Sequence, residues 1–151
     1  MIKLTRIVCP TDFSPTSSQA VDYAGTLASS FGAELILMHA IPNMDYPLRS
    51  FGMSSSIDHI QDELQTRAME SLEARSEKLK EGMPNVSVRL LVRNGEAHDA
   101  TLACAEEESA EMIVMGTHGH TGITHALLGS SAEKVVRPAS CPVLTVRTPE
   151  E

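Results

Sequence analysis

The chain has 151 residues, of which 42% are hydrophobic and 21% charged, and these values are typical of one ordinary globular domain over residues 1–151. Its formal net charge of −8 argues against DNA, RNA or an anionic membrane surface as a partner. Only 3% of the residues are aromatic and there is no Trp, so little is available for stacking on single-stranded bases. A small anion stays compatible with this charge, because backbone amides bind phosphate locally.

The start of the chain, MIKLTRIVCP, lacks the long apolar run and cleavage site of a signal peptide, and no apolar run reaches the length that crosses a bilayer. The three cysteines, Cys9, Cys104 and Cys141, are odd in number and include no CxxC pair. We interpret them as reduced, mostly buried thiols without a redox or metal role. These features predict a cytoplasmic protein with no membrane contact.

Short apolar runs alternate with stretches of helical periodicity along the chain. The first helix has a sharp start and end, since Ser14-Pro15 gives a cap followed by proline and Gly32 stops the apolar pattern. Residues 42–55 are predicted to be a loop that could cover a ligand site. The predicted strands are 4–9, 34–41, 86–92, 112–116 and 142–147, and the predicted helices are 15–31, 56–82, 96–107 and 130–137. The second helix is predicted to carry one apolar face, with charges elsewhere, made of Ile57, Ile60, Leu64, Ala68, Leu72 and Leu79.

This β-α-β alternation predicts an α/β fold with a doubly wound, open parallel sheet and helices on both faces. The second and fourth strands are apolar on both faces, as central parallel strands are. The third strand alternates and Pro142 begins the fifth, so both are predicted to be edges. The resulting five-stranded, Rossmann-like order is 3-2-1-4-5. In that order the chain reverses between the first and fourth strands, and ligands bind at the carboxyl ends there, here residues 9–12 and 115–119.

The most informative stretch follows the fourth strand and reads GTHGHTG from Gly116, with GSS from Gly129. The glycines let the backbone turn and keep side chains away, so that amides can point at a ligand. Gly129 opens a helix whose first N–H groups have no internal partner, an arrangement that binds anions. The hydroxyls of Ser130 and Ser131 add donors, so this stretch predicts a phosphate-binding loop.

Two common phosphate motifs are excluded. The dinucleotide fingerprint GxGxxG fails because His118 occupies a glycine position, and the Walker pattern fails because Gly129 is followed by serine with no lysine. Without that lysine, nothing is placed to stabilise charge developing on a γ-phosphate. The sequence therefore predicts phosphate binding without efficient phosphoryl transfer.

The spacing Gly116-x2-Gly119-x9-Gly129-Ser130 resembles the ATP-binding signature of the universal stress protein family, G-2x-G-9x-G-(S/T). The flanking segments are similar to that family too: IVCPTDFSPTSSQAVDYA, AELILMHAI, EMIVMGTHGHTG and GSSAEKVVRPASCPVLTVR. The resemblance covers essentially the full length apart from the loop at 42–55. It implies an adenine nucleotide alpha hydrolase-like fold that binds ATP, ADP or AMP.

Site residues follow from this resemblance position by position. It implies that Pro10, Thr11 and Asp12 lie on the adenosine side, with Asp12 also a partner for a phosphate-bound Mg²⁺, and that the backbone of Ala40 meets the adenine. It implies that the ribose and phosphates are held by Met115, Gly116, His118, Gly119, Gly129, Ser130 and Ser131. Ser131 is a departure, since many relatives have valine there. Family members usually form homodimers through their last strands, here Pro142–Arg147.

Several of these residues also have purely structural interpretations. Gly116 and Gly129 can serve as turn and helix-start residues. Ser130 with Glu133 forms S-x-x-E, a capping box that would occupy the hydroxyl with its own helix. Asp12 can bond its own backbone in a turn. The loop histidines lack the spacing of a zinc site and are interpreted as solvated; they are His118, His120 and His125.

Three functions from different classes stay open at this point. The first is a nucleotide-dependent regulatory or stress-response protein with no catalytic residues and little hydrolysis. The second is a slow Mg-dependent ATPase or nucleotidyl transferase that uses Asp12. The third is a dimeric interaction module with a vestigial nucleotide site. The missing lysine and catalytic base favour the first.

Overall fold

The computed structural model describes residues 1–44, 50–118 and 128–148. Its strands are β1 (Arg6–Pro10), β2 (Glu34–Ile41), β3 (Ser87–Asn94), β4 (Met112–Gly116) and β5 (Val143–Val146). Its helices are α1 (Pro15–Phe31), α2 (Ser54–Gly82), α3 (Ala97–Glu107) and α4 (Ser130–Val136). The predicted order of elements is confirmed, with bounds that differ by at most two residues. None of the described helices combines the length and the apolar character needed to span a bilayer.

All strand pairs are parallel, and the five strands have the predicted order β3-β2-β1-β4-β5. The first strand thus pairs with β2 on one side and with β4 on the other. Both predicted edge strands, β3 and β5, are at the edges. The predicted reversal of chain direction therefore falls between β1 and β4.

The core consists of two apolar layers, one on each face of the sheet. Ile7 and Cys9 of β1 point to the layer beneath α1 and α2, and Val8 points to the layer beneath α3 and α4. All three side chains are completely buried. Because alternate residues of a strand face opposite sides, a strand buried on both faces must be apolar throughout, as these residues are.

The first helix begins and ends as predicted. Ser14 is its N-cap, and the Ser14 hydroxyl accepts the Ser17 N–H at 3.2 Å. Pro15 fills the first helical position, where no N–H is needed. At the other end Gly32 has φ +67°, a left-handed conformation that favours glycine, and its N–H donates to the Ala28 carbonyl.

The apolar face predicted for the second helix is only partly buried. The helix begins at Ser54, inside the predicted loop. Leu72 is completely buried, but Ile60 and Leu64 are 41% and 39% exposed. Leu64 faces the pocket beside Ile41 at the carboxyl end of β2, where the sheet stops and offers no further core to cover it. Periodicity places Ile60 and Leu64 on the apolar face of this helix, but it does not reveal which residues of that face the sheet covers.

The three cysteines carry free thiols, with Cys9 and Cys104 buried and Cys141 half-buried. Burial raises the pKa of the Cys9 thiol to about 12. Burial also raises the pKa values of the Cys104 and Cys141 thiols. The thiols are thus held protonated, in agreement with the predicted role as small buried apolar groups.

Cys9 gives a prediction about stability at alkaline pH. Its folded-state pKa of about 12 lies above the ordinary value of 9.0, so the folded protein keeps a proton that the unfolded chain loses as the pH rises through this window. The free energy of unfolding should therefore fall as the pH rises above about 9. Urea denaturation at several alkaline pH values, with reductant present, measures this fall. Cys9→Ala should flatten it and Cys141→Ala should change it less; identical slopes for Cys9→Ala and the parent chain would contradict the assignment.

The α2 packing gives a second prediction. Leu72→Ala should reduce the free energy of unfolding by about 2–5 kcal/mol, because a completely buried side chain leaves a cavity. Ile60→Ala is the matched control on the same helix and should cost less than about 1 kcal/mol, since this side chain is already exposed. Urea denaturation of both variants decides the matter. Equal losses would contradict the difference in burial between Leu72 and Ile60.

Candidate functional site

The candidate site lies at the carboxyl edge of the sheet, where β1 and β4 end side by side. Thr11 directly follows β1 and is buried. Its N–H donates to the Met38 carbonyl of β2 at 2.8 Å, and its Oγ1 accepts the Phe13 N–H at 3.0 Å. Both the backbone and the side chain of Thr11 are thus fixed at this edge.

Three buried hydroxyls form a closed network below the turn between β1 and α1. The Ser17 hydroxyl donates to the Ser14 carbonyl at 3.0 Å and accepts from the Ser14 hydroxyl at 3.2 Å. Thr11 Oγ1 lies 3.0 Å from Ser17 Oγ. Because the single proton of the Ser17 hydroxyl is already used, Thr11 must be the donor in that pair. These hydroxyls bond one another and the turn backbone, and they thereby stabilise the turn.

Asp12 forms part of the same turn. Its Oδ1 accepts the Ser14 N–H at 2.9 Å, which is the turn interaction expected from the structural interpretation of this residue. The structural interpretation of Asp12 is therefore confirmed, and its Mg²⁺ role stays a prediction. Among the described residues there is no group of three or more His, Cys, Asp or Glu side chains that could hold a metal ion.

Phe13 and His39 cover this turn from the side of β2. Phe13 has φ +64°, which is uncommon for a residue with a side chain. Its ring lies against the His39 ring with centroids 4.7 Å apart and planes tilted by 35°. His39 Nδ1 lies 2.8 Å from the Thr11 carbonyl oxygen. Neither residue was singled out from the sequence, although a histidine inside the apolar run ELILMHAI is a signal that could have been noticed.

The second half of the site is organised by Thr117, directly after β4. Its N–H donates to the Val146 carbonyl of β5 at 2.9 Å, and its carbonyl accepts the Gly129 N–H at 2.8 Å. This buried residue therefore brings the start of α4 back to the end of β4. His118 Nδ1 lies 3.0 Å from Thr117 Oγ1. Thr117 was also not singled out as a site residue, because its role depends on contacts that are distant along the chain.

Two glycines of the motif lie in close packing, most tightly at Gly129. A Cβ at Gly129 would lie 2.6 Å from the Thr117 carbonyl oxygen. A Cβ at Gly116 would lie 3.0 Å from the Thr16 methyl group and 3.3 Å from the Ser17 nitrogen. The structural interpretation of both glycines is thus supported, whether or not a ligand binds beside them.

The predicted capping box at the start of α4 is wrong. The N-cap is Gly129, and Ser130 is the first residue of the helix. The Glu133 N–H donates to the Gly129 carbonyl, and the Glu133 carboxylate instead pairs with Arg137 at 2.8 Å. Since Gly129 is held by Thr117, the helix starts one residue earlier than the box requires. The Ser130 and Ser131 hydroxyls are exposed at this end of α4.

Most of the predicted site residues lie at the carboxyl ends of β1, β2 and β4 or at the start of α4. The described members of the set are Pro10, Thr11, Asp12, Ala40, Met115, Gly116, His118, Gly129, Ser130 and Ser131. Met115 is 7% exposed and packs in the core, so that only its backbone is at the edge. Other residues of interest lie outside the described residues; they are Gly119, His120, Gly122, His125 and residues 45–49.

A pocket of about 260 Å³ lies next to the turn after β1. One wall is formed by Phe13, His39 and Ile41, and the opposite wall is formed by Leu64 and Arg67 of α2. These walls are mainly apolar, and the pocket lies on the side of the site that the resemblance assigns to adenosine.

The close approach at Gly129 gives a prediction. Gly129→Ala should reduce the free energy of unfolding by about 1–3 kcal/mol, because the new methyl group cannot be accommodated against a backbone oxygen. Gly82→Ala is the matched control, since nothing lies within 4 Å of a Cβ there, and it should be neutral or stabilising by up to about 1 kcal/mol. Urea denaturation measures both. A neutral Gly129→Ala would show that Thr117 and Gly129 are not in contact.

The chain is similar to known proteins over nearly its whole length. A model of the universal stress protein family matches residues 3–147. Universal stress protein MJ0577 from Methanocaldococcus jannaschii is 28% identical over 152 residues, which cover 94% of each chain. The solved structure of MJ0577 has a TM-score of 0.81 at 27% identity, covering 99% of this chain and 100% of that one.

Two further similarities are of the same kind. Universal stress protein MJ0531 from the same organism is 32% identical over 146 residues, which cover 97% of this chain and 84% of the relative. A universal stress protein solved in complex with cAMP has a TM-score of 0.67 at 26% identity, covering 98% of this chain and 100% of that one. This chain therefore belongs to the universal stress protein family, as the sequence resemblance predicted.

Proposed function

We propose that this protein binds an adenine nucleotide at the carboxyl edge of β1, β2 and β4 and acts as a nucleotide-dependent regulatory protein. The proposal rests mainly on one observation: Thr11, after β1, and Gly129, bonded to Thr117 after β4, lie at the same carboxyl edge of the sheet. The direction of the chain reverses between these two strands. A family member that is 26% identical was solved with cAMP, which supports an adenine nucleotide as the ligand.

The residues at this edge fit the two ends of such a ligand. The backbone of Pro10, Thr11 and Ala40 and the adjacent apolar pocket suit the adenosine moiety. Gly116 and Gly129 carry no side chain that could stand between their backbone amides and a phosphate, and we propose that these amides take part in phosphate binding. The other predicted contacts to the ribose and phosphates come from the backbone of Met115, from His118 and Gly119, and from the exposed residues Ser130 and Ser131.

ATP, with ADP and AMP as alternatives, is the proposed nucleotide, and Mg²⁺ would accompany its phosphates. When bound, Mg²⁺ neutralises phosphate charge. The described residues contain no acidic cluster of their own for a metal, so the nucleotide itself would supply most of the ligands. Asp12 adds one carboxylate at this edge, with Oδ1 already accepting the Ser14 N–H.

Rapid hydrolysis is not part of the proposal. The hydroxyls of Thr11, Ser14 and Ser17 bond one another, and Asp12 is used in the turn. The sequence has no lysine after Gly129 to stabilise a transferring phosphoryl group. Binding that changes the conformation or the partners of the protein is therefore favoured over turnover.

We also propose a homodimer formed through Pro142–Arg147, and a cytoplasmic location. The dimer is supported by the position of β5 at the edge of the sheet and by Leu144, which is 37% exposed on that strand. The location is supported by free thiols at all three cysteines. Light scattering after size exclusion measures the oligomeric state directly.

Calorimetric titration with AMP, ATP and ATP with Mg²⁺ tests the nucleotide site. The parent chain should bind, and Ser130→Ala with Ser131→Ala should weaken binding at least about tenfold, because two hydroxyl donors to a charged phosphate are lost. Ser29→Ala, an exposed serine near the opposite end of α1, is the matched control and should bind as the parent does.

The outcomes separate the three functions. Binding with hydrolysis far below ordinary enzyme rates supports a regulatory protein. Turnover of many per second that Asp12→Ala abolishes without loss of affinity would instead establish an enzyme. No binding by the parent chain would contradict the proposal and favour an interaction module with a vestigial site.

A further inference from the structure

The backbone of Thr11 is bound on both sides by consecutive residues of β2. Its N–H donates to the Met38 carbonyl, and its carbonyl oxygen lies 2.8 Å from Nδ1 of His39. Because a carbonyl oxygen can only accept, Nδ1 must carry the proton, which leaves Nε2 as the acceptor of the neutral ring. A side chain thus binds the carbonyl at the position where the ladder between β1 and β2 stops.

This side-chain bond replaces a bond of the strand ladder. In a parallel pair, a residue whose N–H donates to Met38 would accept through its carbonyl from the N–H of Ala40. Here β1 ends at Pro10, and the carbonyl of Thr11 is bound by the His39 ring. The chain therefore turns away from β2 at the level of Ala40.

The direction of the Ala40 backbone follows from its neighbours. The Met38 carbonyl accepts from the β1 side, whereas the Ile41 carbonyl accepts the Gly95 N–H on the β3 side at 2.8 Å. Since successive residues of a strand direct their backbone groups to opposite sides, the N–H and C=O of Ala40 point toward β1, beyond its last residue. One donor and one acceptor, side by side, thus face the candidate site.

His39 holds the turn after β1 through a second contact, in addition to its bond to the Thr11 carbonyl. The Phe13 ring lies on the His39 ring at 4.7 Å, and the positive φ of Phe13 is a conformation that persists only where surrounding contacts impose it. His39 and Phe13 also line the adjoining pocket. The position of the turn therefore depends on the ring of His39 both as a donor and as a packing surface.

We propose that His39 is a positioning residue for base recognition: its bond to the Thr11 carbonyl keeps the β1 turn off the β2 ladder and leaves the Ala40 N–H and C=O to pair with the base. This inference rests on the proposed nucleotide site, in which the resemblance already implies that the Ala40 backbone meets the adenine, and it adds His39 as the residue that keeps those backbone groups available. Adenine presents a donor at N6 beside an acceptor at N1, which match one residue's carbonyl and N–H. Guanine presents an acceptor at O6 beside a donor at N1, which is the reverse pattern.

Three substitutions of His39 separate the donor from the bulk of the ring. In His39→Asn the amide nitrogen can occupy the place of Nδ1, whereas in His39→Gln it occupies the place of Nε2, and His39→Leu has no donor. Calorimetry with AMP and GMP, below the unfolding temperature of every variant, gives affinity and selectivity. His59→Gln, an exposed histidine on α2, is the matched control and should behave as the parent chain does.

The expected result is that His39→Asn keeps AMP affinity within about threefold, while His39→Gln and His39→Leu lose about tenfold or more and discriminate less between AMP and GMP. A merely structural role would lower thermal stability without changing base selectivity. AMP affinity unchanged in His39→Gln, or as weak in His39→Asn as in His39→Leu, would overturn the proposal.

Nitrogen NMR of the His39 ring tests the same bond without any nucleotide. The proposal expects the Nδ1-protonated tautomer in the free protein, and an Nε2-protonated ring would overturn it. A parent chain that binds no adenine nucleotide but has the Nδ1 tautomer would show that the geometry is right and that the proposed function has failed, and the role in base recognition would fail with it.

Discussion

The burial of β1 on both faces and both edges is the constraint on which the rest of the structure depends. Ile7, Val8 and Cys9 are completely buried, and β1 is hydrogen-bonded to β2 and β4 at once. On the two sides of this strand the crossover connections run in opposite directions across the sheet. As a result, α1 and α2 lie on one face and α3 and α4 on the other. In sheets of this order, ligands bind at the carboxyl edge where the chain reverses, which here lies between β1 and β4.

The β1 and β4 sides of this edge are built differently. On the β1 side, a network of buried hydroxyls and the His39 ring fix the turn that carries Thr11 and Asp12. On the β4 side, Thr117 joins β5 to the start of α4 through its N–H and carbonyl. Gly129 is glycine because a carbonyl oxygen occupies the space of its Cβ. Close packing alone therefore accounts for glycine at this position.

Features governed by local periodicity could be predicted from the sequence. The strand order follows from which runs are apolar on both faces, and the start of α1 follows from Ser14-Pro15. The capping box at Ser130 could not be judged locally, because a bond from Gly129 to Thr117 sets the N-cap. Local sequence also did not reveal that Ile60 and Leu64 are exposed, or that the His39 ring binds the Thr11 carbonyl. Each of these depends on contacts between distant parts of the chain.

The central claim is that an adenine nucleotide binds at the carboxyl edge of β1 and β4. The most direct test is to map amide chemical shifts by NMR during titration with AMP. The account predicts the largest shifts at Thr11, Ala40, Gly116 and Ser130, with little change at the amino ends of the strands. Shifts centred elsewhere on the molecule, or no shifts at millimolar AMP, would contradict it.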